Sequence, residues 1–312
     1  MEIEALSEPF ITLSDVSDIS EKIAGGAPLN ESETDRLIMT NDLSVLGMLA
    51  ERERCRRHKN RVTFVRVVKF DMQADREQQQ QTVAECAGEI RIVGTPQRLA
   101  EAQSCVSDVS AIARGVPVSG FSLKDIVELS VNEKVSLQVA LSDLRSAGLD
   151  LLSEASIDSS VSLEKSVEEV GVAGLGVARF TVDDITPSDL RVVIRRVVSL
   201  QRATGLVRTF APLSRRRQAS VPSTGYDDVK QVALARLLSD NIESIQVDWE
   251  LYGPKLAQVT LLFGADDIDG VSTSDREDLG LRRSSLEELK QNVYAASLVP
   301  VERNGRFEIK EP

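Results

Sequence analysis

Short β-branched runs alternate about eight times with longer segments of helical periodicity, and this alternation restricts the chain to parallel α/β architectures. From residue 61 onward the candidate strands are 62–68, 89–93, 116–121, 149–152, 174–180, 207–211, 244–251 and 265–270. Helical segments are expected at 77–85, 97–114, 136–146, 160–170, 187–203, 226–239, 255–262 and 285–295. Parallel neighbours cannot be joined by a hairpin, so each strand needs a crossover, normally a helix. The runs are short and mostly apolar, as expected of strands covered on both faces. At 312 residues a closed TIM-type (β/α)8 barrel is the economical arrangement. The alternative is an open doubly wound sheet. No G-x-G-x-x-G follows an early strand, which disfavours a dinucleotide fold. The glycine-rich stretch 171–176 precedes a strand instead of opening a helix, so it reads as a turn with close helix–strand packing.

Residues 1–60 read as a leader and helices that pack on the barrel, and residues 61–312 as a single barrel domain with a C-terminal extension. Gly25-Gly26-Ala27-Pro28 ends the leader. Asn30 with Glu33 forms a capping box, and Thr40-Asn41-Asp42 starts a second helix with the apolar stripe Leu43, Leu46, Leu49 and Ala50. Arg54, Arg56, Arg57 and His58 place positive charge at that helix's C-terminal end, where the helix dipole favours it. Thr186 before Pro187, and Ser285 with Glu288, mark two further helix starts.

Charge excludes several partners. Lys+Arg total 37 against 49 Asp+Glu, a formal charge of -12. Such a surface repels phosphate backbones and anionic lipid, so neither nucleic acid nor membrane is expected as a partner. The acidic start lacks the basic and apolar regions of a secretory signal. The three cysteines, Cys55, Cys86 and Cys105, match no zinc or redox spacing, so each is expected to be a small buried hydrophobe in a reducing, cytoplasmic compartment. His58 is the only histidine, which rules out a multi-histidine metal site and leaves no nucleophile beside it in sequence.

The most specific motifs lie in the C-terminal third: Ser223-Thr224-Gly225-Tyr226-Asp227-Asp228, the run from Arg236 to Ile242, Trp249-Glu250-Leu251-Tyr252-Gly253-Pro254-Lys255-Leu256-Ala257-Gln258, and the run from Phe263 to Gly270. Together with Glu89-Ile90-Arg91-Ile92-Val93-Gly94, the segment from Leu141 to Leu149, Phe210-Ala211-Pro212-Leu213 and Val299-Pro300-Val301-Glu302-Arg303, they resemble the aminofutalosine synthase branch of the radical S-adenosylmethionine (SAM) enzymes. The resemblance extends over nearly the whole chain. It implies a TIM-type (β/α)8 or partial (β/α)6 radical-SAM-like barrel with N-terminal helices. By context it also implies menaquinone biosynthesis through futalosine intermediates.

That family holds a [4Fe–4S] cluster on a C-x3-C-x2-C loop after its first strand, where thiolates are the required iron ligands and SAM binds the open iron. Here the corresponding loop reads Asp71-Met72-Gln73-Ala74-Asp75-Arg76 and continues into Gln78–Gln81, without a cysteine. The family's glycine-rich loop after the fourth strand is replaced by Leu152-Ser153-Glu154-Ala155-Ser156-Ile157-Asp158, which removes the close backbone approach that glycine permits. Arg179 replaces the polar-glycine-glutamate ending of the fifth strand, and Ser214-Arg215-Arg216-Arg217 replaces a more neutral loop. Neither cluster nor SAM is therefore expected as a cofactor.

A surviving pocket is expected at the C-terminal ends of the strands. Its candidates are Arg66, Lys69, Glu154, Arg179, Trp249, Gln258, Asp266, Asp267 and Asp269. The carboxylates would bind hydroxyl or amide groups of a nucleoside-like molecule, with Trp249 as a wall, or would serve only as caps, with Trp249 in the core. Arg66, Lys69 and Arg179 would form a positive rim for an anion, or remain solvated surface charge. The Arg215–Arg217 cluster would be an exposed loop or a dock for an acidic partner. Two functions follow. One is a non-catalytic barrel that binds an active paralogue, another menaquinone-pathway enzyme or a pathway intermediate. The other is an enzyme re-purposed for acid–base chemistry with Glu154, Arg179, Asp266 and Asp267 on a futalosine-like compound.

Overall fold

The computed structural model describes residues 11–74, 86–158, 162–184, 189–215, 225–273 and 286–310. Three helices precede the barrel: α1 (Leu13–Gly25), α2 (Glu31–Met39) and α3 (Leu43–His58). Each start has a local cause. Thr12 with Asp15 and Asn30 with Glu33 close reciprocal capping boxes, and Asp42 accepts from the backbone N–H groups of Ser44 and Val45. Gly26, at φ 67, terminates α1 in the left-handed conformation. The leader thus holds a regular 13-residue helix from Leu13.

The strands are β1 (Arg61–Asp71), β2 (Glu89–Val93), β3 (Val118–Ser122), β4 (Leu151–Ser156), β5 (Gly176–Val177), β6 (Phe180–Val182), β7 (Thr209–Ser214), β8 (Ser244–Asp248), β9 (Asp267–Ser272) and β10 (Val299–Arg303). They pair in the order β1-β2-β3-β4-β6-β7-β8-β9, and β9 returns to β1, so the sheet closes on itself. All these pairings are parallel. β5 and β6 are two pieces of one stave: β5 pairs with the start of β4 and β6 with its end, on either side of Ala178 and Arg179. The result is an eight-stave (β/α)8 barrel. β10 lies outside this closed ring, parallel to the first half of β1, directly below the stretch of β1 that pairs with β2.

Around the barrel run α4 (Leu99–Ile112), α5 (Leu123–Glu133), α6 (Leu137–Ala147), α7 (Leu163–Val172), α8 (Leu190–Thr204), α9 (Gly225–Leu238), α10 (Trp249–Tyr252), α11 (Pro254–Leu261) and α12 (Leu286–Ala295). The main core lies between strands and helices. Ile90, Ile92, Val118, Leu152, Phe180, Phe210, Ile245, Val247 and Ile268 meet helix residues such as Val106, Leu144, Val167, Val197 and Val232, all buried. α3 packs against α9, which seats the N-terminal helices on the barrel's outer layer.

Five strands begin two residues later than expected: β3, β4, β5, β7 and β9. Leu149, Val207 and Ala265 are buried residues of the preceding connections, so apolar character runs on from connection to strand and blurs the boundary. α5 was not anticipated. Its signal is the capping box of Ser122 with Asp125 directly after a strand. Residues 249–251, expected as strand, are helical because Asp248 accepts from the Leu251 N–H at 2.9 Å and caps α10. The expected helix at 77–85, the four glutamines, and the caps at Thr186 and Ser285 lie outside the described residues.

Candidate functional site in the barrel lumen

A parallel barrel presents alternate residues of each strand to its interior. In β2 the alternation is Glu89-Ile90-Arg91-Ile92, in β8 Gln246-Val247-Asp248, and in β9 Asp267-Ile268-Asp269. The isoleucines and valine join the outer core, while Glu89, Arg91, Gln246, Asp248, Asp267 and Asp269 are buried in the lumen. The expectation of strands that are apolar on both faces therefore fails for these three. Their lumen faces are charged or polar.

At the floor, Asp267 takes a bidentate ion pair from Arg303, with both N–O distances 2.6 Å, and Gln246 donates to it at 2.7 Å. Thr63 also donates to Asp267. Burial alone pushes the Asp267 carboxyl upward, but the Arg303 charge and these hydrogen bonds prevail and hold it below its ordinary value. Arg303 comes from β10, so the strand outside the ring supplies the cation that closes the floor.

One level higher, Arg91 donates to both oxygens of Asp269 at 2.8 and 3.0 Å, and its Nε donates to Glu89 at 2.8 Å. Ser119 donates to the same Glu89 oxygen. Arg179 also pairs with Asp269. Arg179 Nε lies 3.6 Å from Glu154, and Arg215 reaches Glu154 at 3.2 Å and Asp248 at 3.6 Å. Burial, then the neighbouring Arg91 and Arg215 charges, lower the Arg179 guanidinium to about 9, so it stays protonated at neutral pH. Arg91, Arg179 and Arg215 thus alternate with Glu89, Asp269, Asp248 and Glu154 from mid-lumen to mouth. On the β6–β8 wall, Thr181 Oγ1, Thr209 Oγ1 and Gln246 Oε1 are buried without a hydrogen-bond partner among the described residues.

The expected site residues divide into several groups. Glu154, Arg179 and Asp269 come together in the lumen, and Lys69 sits at the rim paired with Glu250. Asp266 and Asp267 lie at the opposite, N-terminal end, because Asp267 opens β9 and pairs in register with Thr63 near the start of β1. Asp266 is held there by the buried Arg236 and by the backbone N–H of Ile245 at 2.8 Å. Arg66 faces outward and makes a bidentate pair with Glu302 of β10 at 2.9 Å. Trp249 is 2% exposed and belongs to the apolar core. Gln258 is half-buried on α11, outside the ring. Arg215 turns into the lumen and is not part of an exposed dock. Arg216 and Arg217 lie outside the described residues.

The lumen residues not anticipated are Glu89, Arg91, Ser119, Gln246, Asp248 and Arg303. For Glu89, Arg91, Gln246 and Asp248 the signal was the alternation of charged and polar side chains with Ile90, Ile92 and Val247, which marks a polar face; Ser119 and Arg303 carry no such signal.

The donors for an iron–sulfur cluster do not fit one. Cys55 is exposed on α3, Cys86 is half-buried before β2 with its thiol toward the Thr273 carbonyl at 3.7 Å, and Cys105 is buried on α4. Only Cys105 fits the expectation of a buried small hydrophobe. No group of three His, Cys, Asp or Glu side chains among the described residues could hold a metal ion. No helix among the described residues is long and apolar enough to cross a membrane.

The chain is 33% identical over 137 residues to the aminodeoxyfutalosine synthase of Streptomyces coelicolor, an alignment covering 37% of this chain and 35% of that one. It is 31% identical over 109 residues to the 5-amino-6-(D-ribitylamino)uracil–L-tyrosine 4-hydroxyphenyl transferase of Methanocaldococcus jannaschii, covering 33% and 30%. These alignments span about a third of the length of the curated relatives they match. Among solved structures, methylornithine synthase superposes with a TM-score of 0.68 at 12% identity, over 90% of this chain and 97% of that one, a likeness of fold. No known family profile matches the chain.

Proposed function

We propose that this relative of aminodeoxyfutalosine synthase acts by binding and carries out no radical SAM chemistry. In this reading it pairs with an active paralogue or another menaquinone-pathway enzyme, or senses a nucleoside-like intermediate of that pathway. The observation that carries the reading is the position of the thiols. Radical SAM chemistry requires three on one loop, and here the loop after β1 has none, while the three present lie on α3, ahead of β2 and on α4. The lumen supports the same reading. Arg179 and Arg215 lie in its upper half and are engaged by Asp269, Glu154 and Asp248. A re-purposed acid–base site of Glu154, Arg179, Asp266 and Asp267 has less support, since the last two lie at the other end of the barrel.

Anaerobic iron and sulfide reconstitution tests the proposal. The expected outcome is substoichiometric iron, no cluster signal in electron paramagnetic resonance after dithionite reduction, and no SAM cleavage. A stoichiometric cluster that cleaves SAM overturns it.

A further inference from the structure

The face of the barrel opposite the mouth carries a cavity of about 190 Å³. It lies between the starts of β1, β7 and β8 and the C-terminal segment after β10. That volume is below the usual range of about 300–1,000 Å³ for drug-sized ligands, so only a molecule of roughly one ring fits.

Its lining has a definite polarity. Val301, Phe307 and Ile309 supply apolar and aromatic surface, and Ser244 a hydroxyl. The Phe307 ring is fixed in place: the Arg303 guanidinium carbon lies 3.8 Å and that of Arg208 5.0 Å from its centroid. Phe307 also holds φ 65, an uncommon conformation for a bulky residue, which fixes its backbone at this position.

The charges on the lining nearly cancel. Glu243 is paired with Arg208 at 2.8 Å, Asp266 with Arg236 behind the wall, and Arg303 with Asp267. His58 is neutral at pH 7, because burial and the Arg236 charge lower it to about 4. What remains is Arg61, exposed and without an acidic partner among the described residues. The cavity therefore carries one uncompensated positive charge on a protein whose net charge is -12.

We propose that this N-terminal-face cavity binds a small aromatic carboxylate, with its ring against Phe307, Val301 and Ile309 and its carboxylate on Arg61. Arg–carboxylate pairing is a strong, geometrically defined hydrogen-bonded contact, and the apolar walls select a ring over a hydrated inorganic anion. The inference does not rest on the binding-protein reading above, since it concerns the other end of the barrel.

The lone histidine makes the test direct, because its proton resonances in one-dimensional NMR report on this cavity alone. Benzoate titrated into the full chain at pH 7 is expected to shift the His58 resonances saturably, with a Kd on the order of 1 mM for so small a ligand. Benzoate is also expected to raise the His58 pKa. Arg61→Ala should weaken binding at least tenfold, and Arg61→Lys should retain it within a few-fold. Circular dichroism checks that both variants fold. Benzylamine, of the same shape and opposite charge, should not bind. Absence of a saturable shift, unchanged affinity in Arg61→Ala, equal losses in both Arg61 variants, or equal binding of benzylamine each overturn the proposal.

Discussion

Arg303 shows how much one side chain decides in this protein. It reaches from β10 into the floor of the barrel, is 2% exposed, and neutralises Asp267, which has no other cation at hydrogen-bond distance among the described residues. Removing one partner of a buried ion pair leaves an unsolvated charge, which costs about 3–5 kcal/mol, whereas replacing both by apolar groups is often neutral. Arg303→Met is therefore expected to lower unfolding stability by about 3–5 kcal/mol in urea titrations, and the double variant Arg303→Met/Asp267→Leu should recover most of the loss. Equal losses in the single and double variants would show that packing, and not charge, holds the floor.

At the scale of elements, the first stave has three neighbours where an ordinary barrel strand has two. β1 pairs with β9 on one edge, and on the other with β10 below and β2 above. The change of partner occurs at Gly88, whose N–H donates to the Arg66 carbonyl and whose own carbonyl accepts from Gly305 N–H, both at 2.9 Å. A Cβ at Gly88 would stand 2.7 Å from the Arg303 carbonyl oxygen and 3.2 Å from a Val65 methyl. The first is backbone and cannot rotate away. Gly88→Ala should thus cost about 1–3 kcal/mol, in the range of other overpacked sites, and thermal unfolding at matched scan rates checks it. An unchanged midpoint would mean that β10 is free to shift outward.

For the molecule as a whole, acid sensitivity between pH 7 and 5 follows in part from one half-buried base. His58 has a folded-state pKa of about 4 against an ordinary value of 6.5, because it is partly desolvated and faces Arg236 of α9 and Arg57 of its own helix. Its Nε2 hydrogen-bonds the Glu243 carbonyl at 3.0 Å and lies 3.3 Å from Asp266. The unfolded chain takes up this proton below about pH 6.5 and the folded chain only near pH 4, so the contribution is present above that window and is lost as pH falls through it. Between pH 7 and 5 it amounts to about 2 kcal/mol. His58→Gln should show that much less destabilisation over the same interval in denaturant titrations. Equal pH slopes in the two proteins would place the histidine in solvent.

The closed parallel barrel was legible in the strand–helix alternation, because a periodic apolar pattern reports directly on burial. The lumen was legible only in part. Glu154, Arg179 and Asp269 were identified, but Asp266 and Asp267 were placed at the wrong end, since position along a strand depends on register, which pairing sets and composition does not. Arg303 was hidden because its partner is 36 residues away in the chain and on a strand that does not belong to the ring. β10 itself was read only as part of a terminal motif.

The alternating charges of the lumen also bear on how this chain can change over evolutionary time. Glu89, Arg91, Asp269, Arg179, Glu154, Arg215 and Asp248 interlock so that each cation touches at least two anions. Vacating the interior for a guest by single steps would strand an opposite charge at every step. Only coordinated exchanges of several positions could hollow it out, so the network opposes stepwise change toward an open chamber.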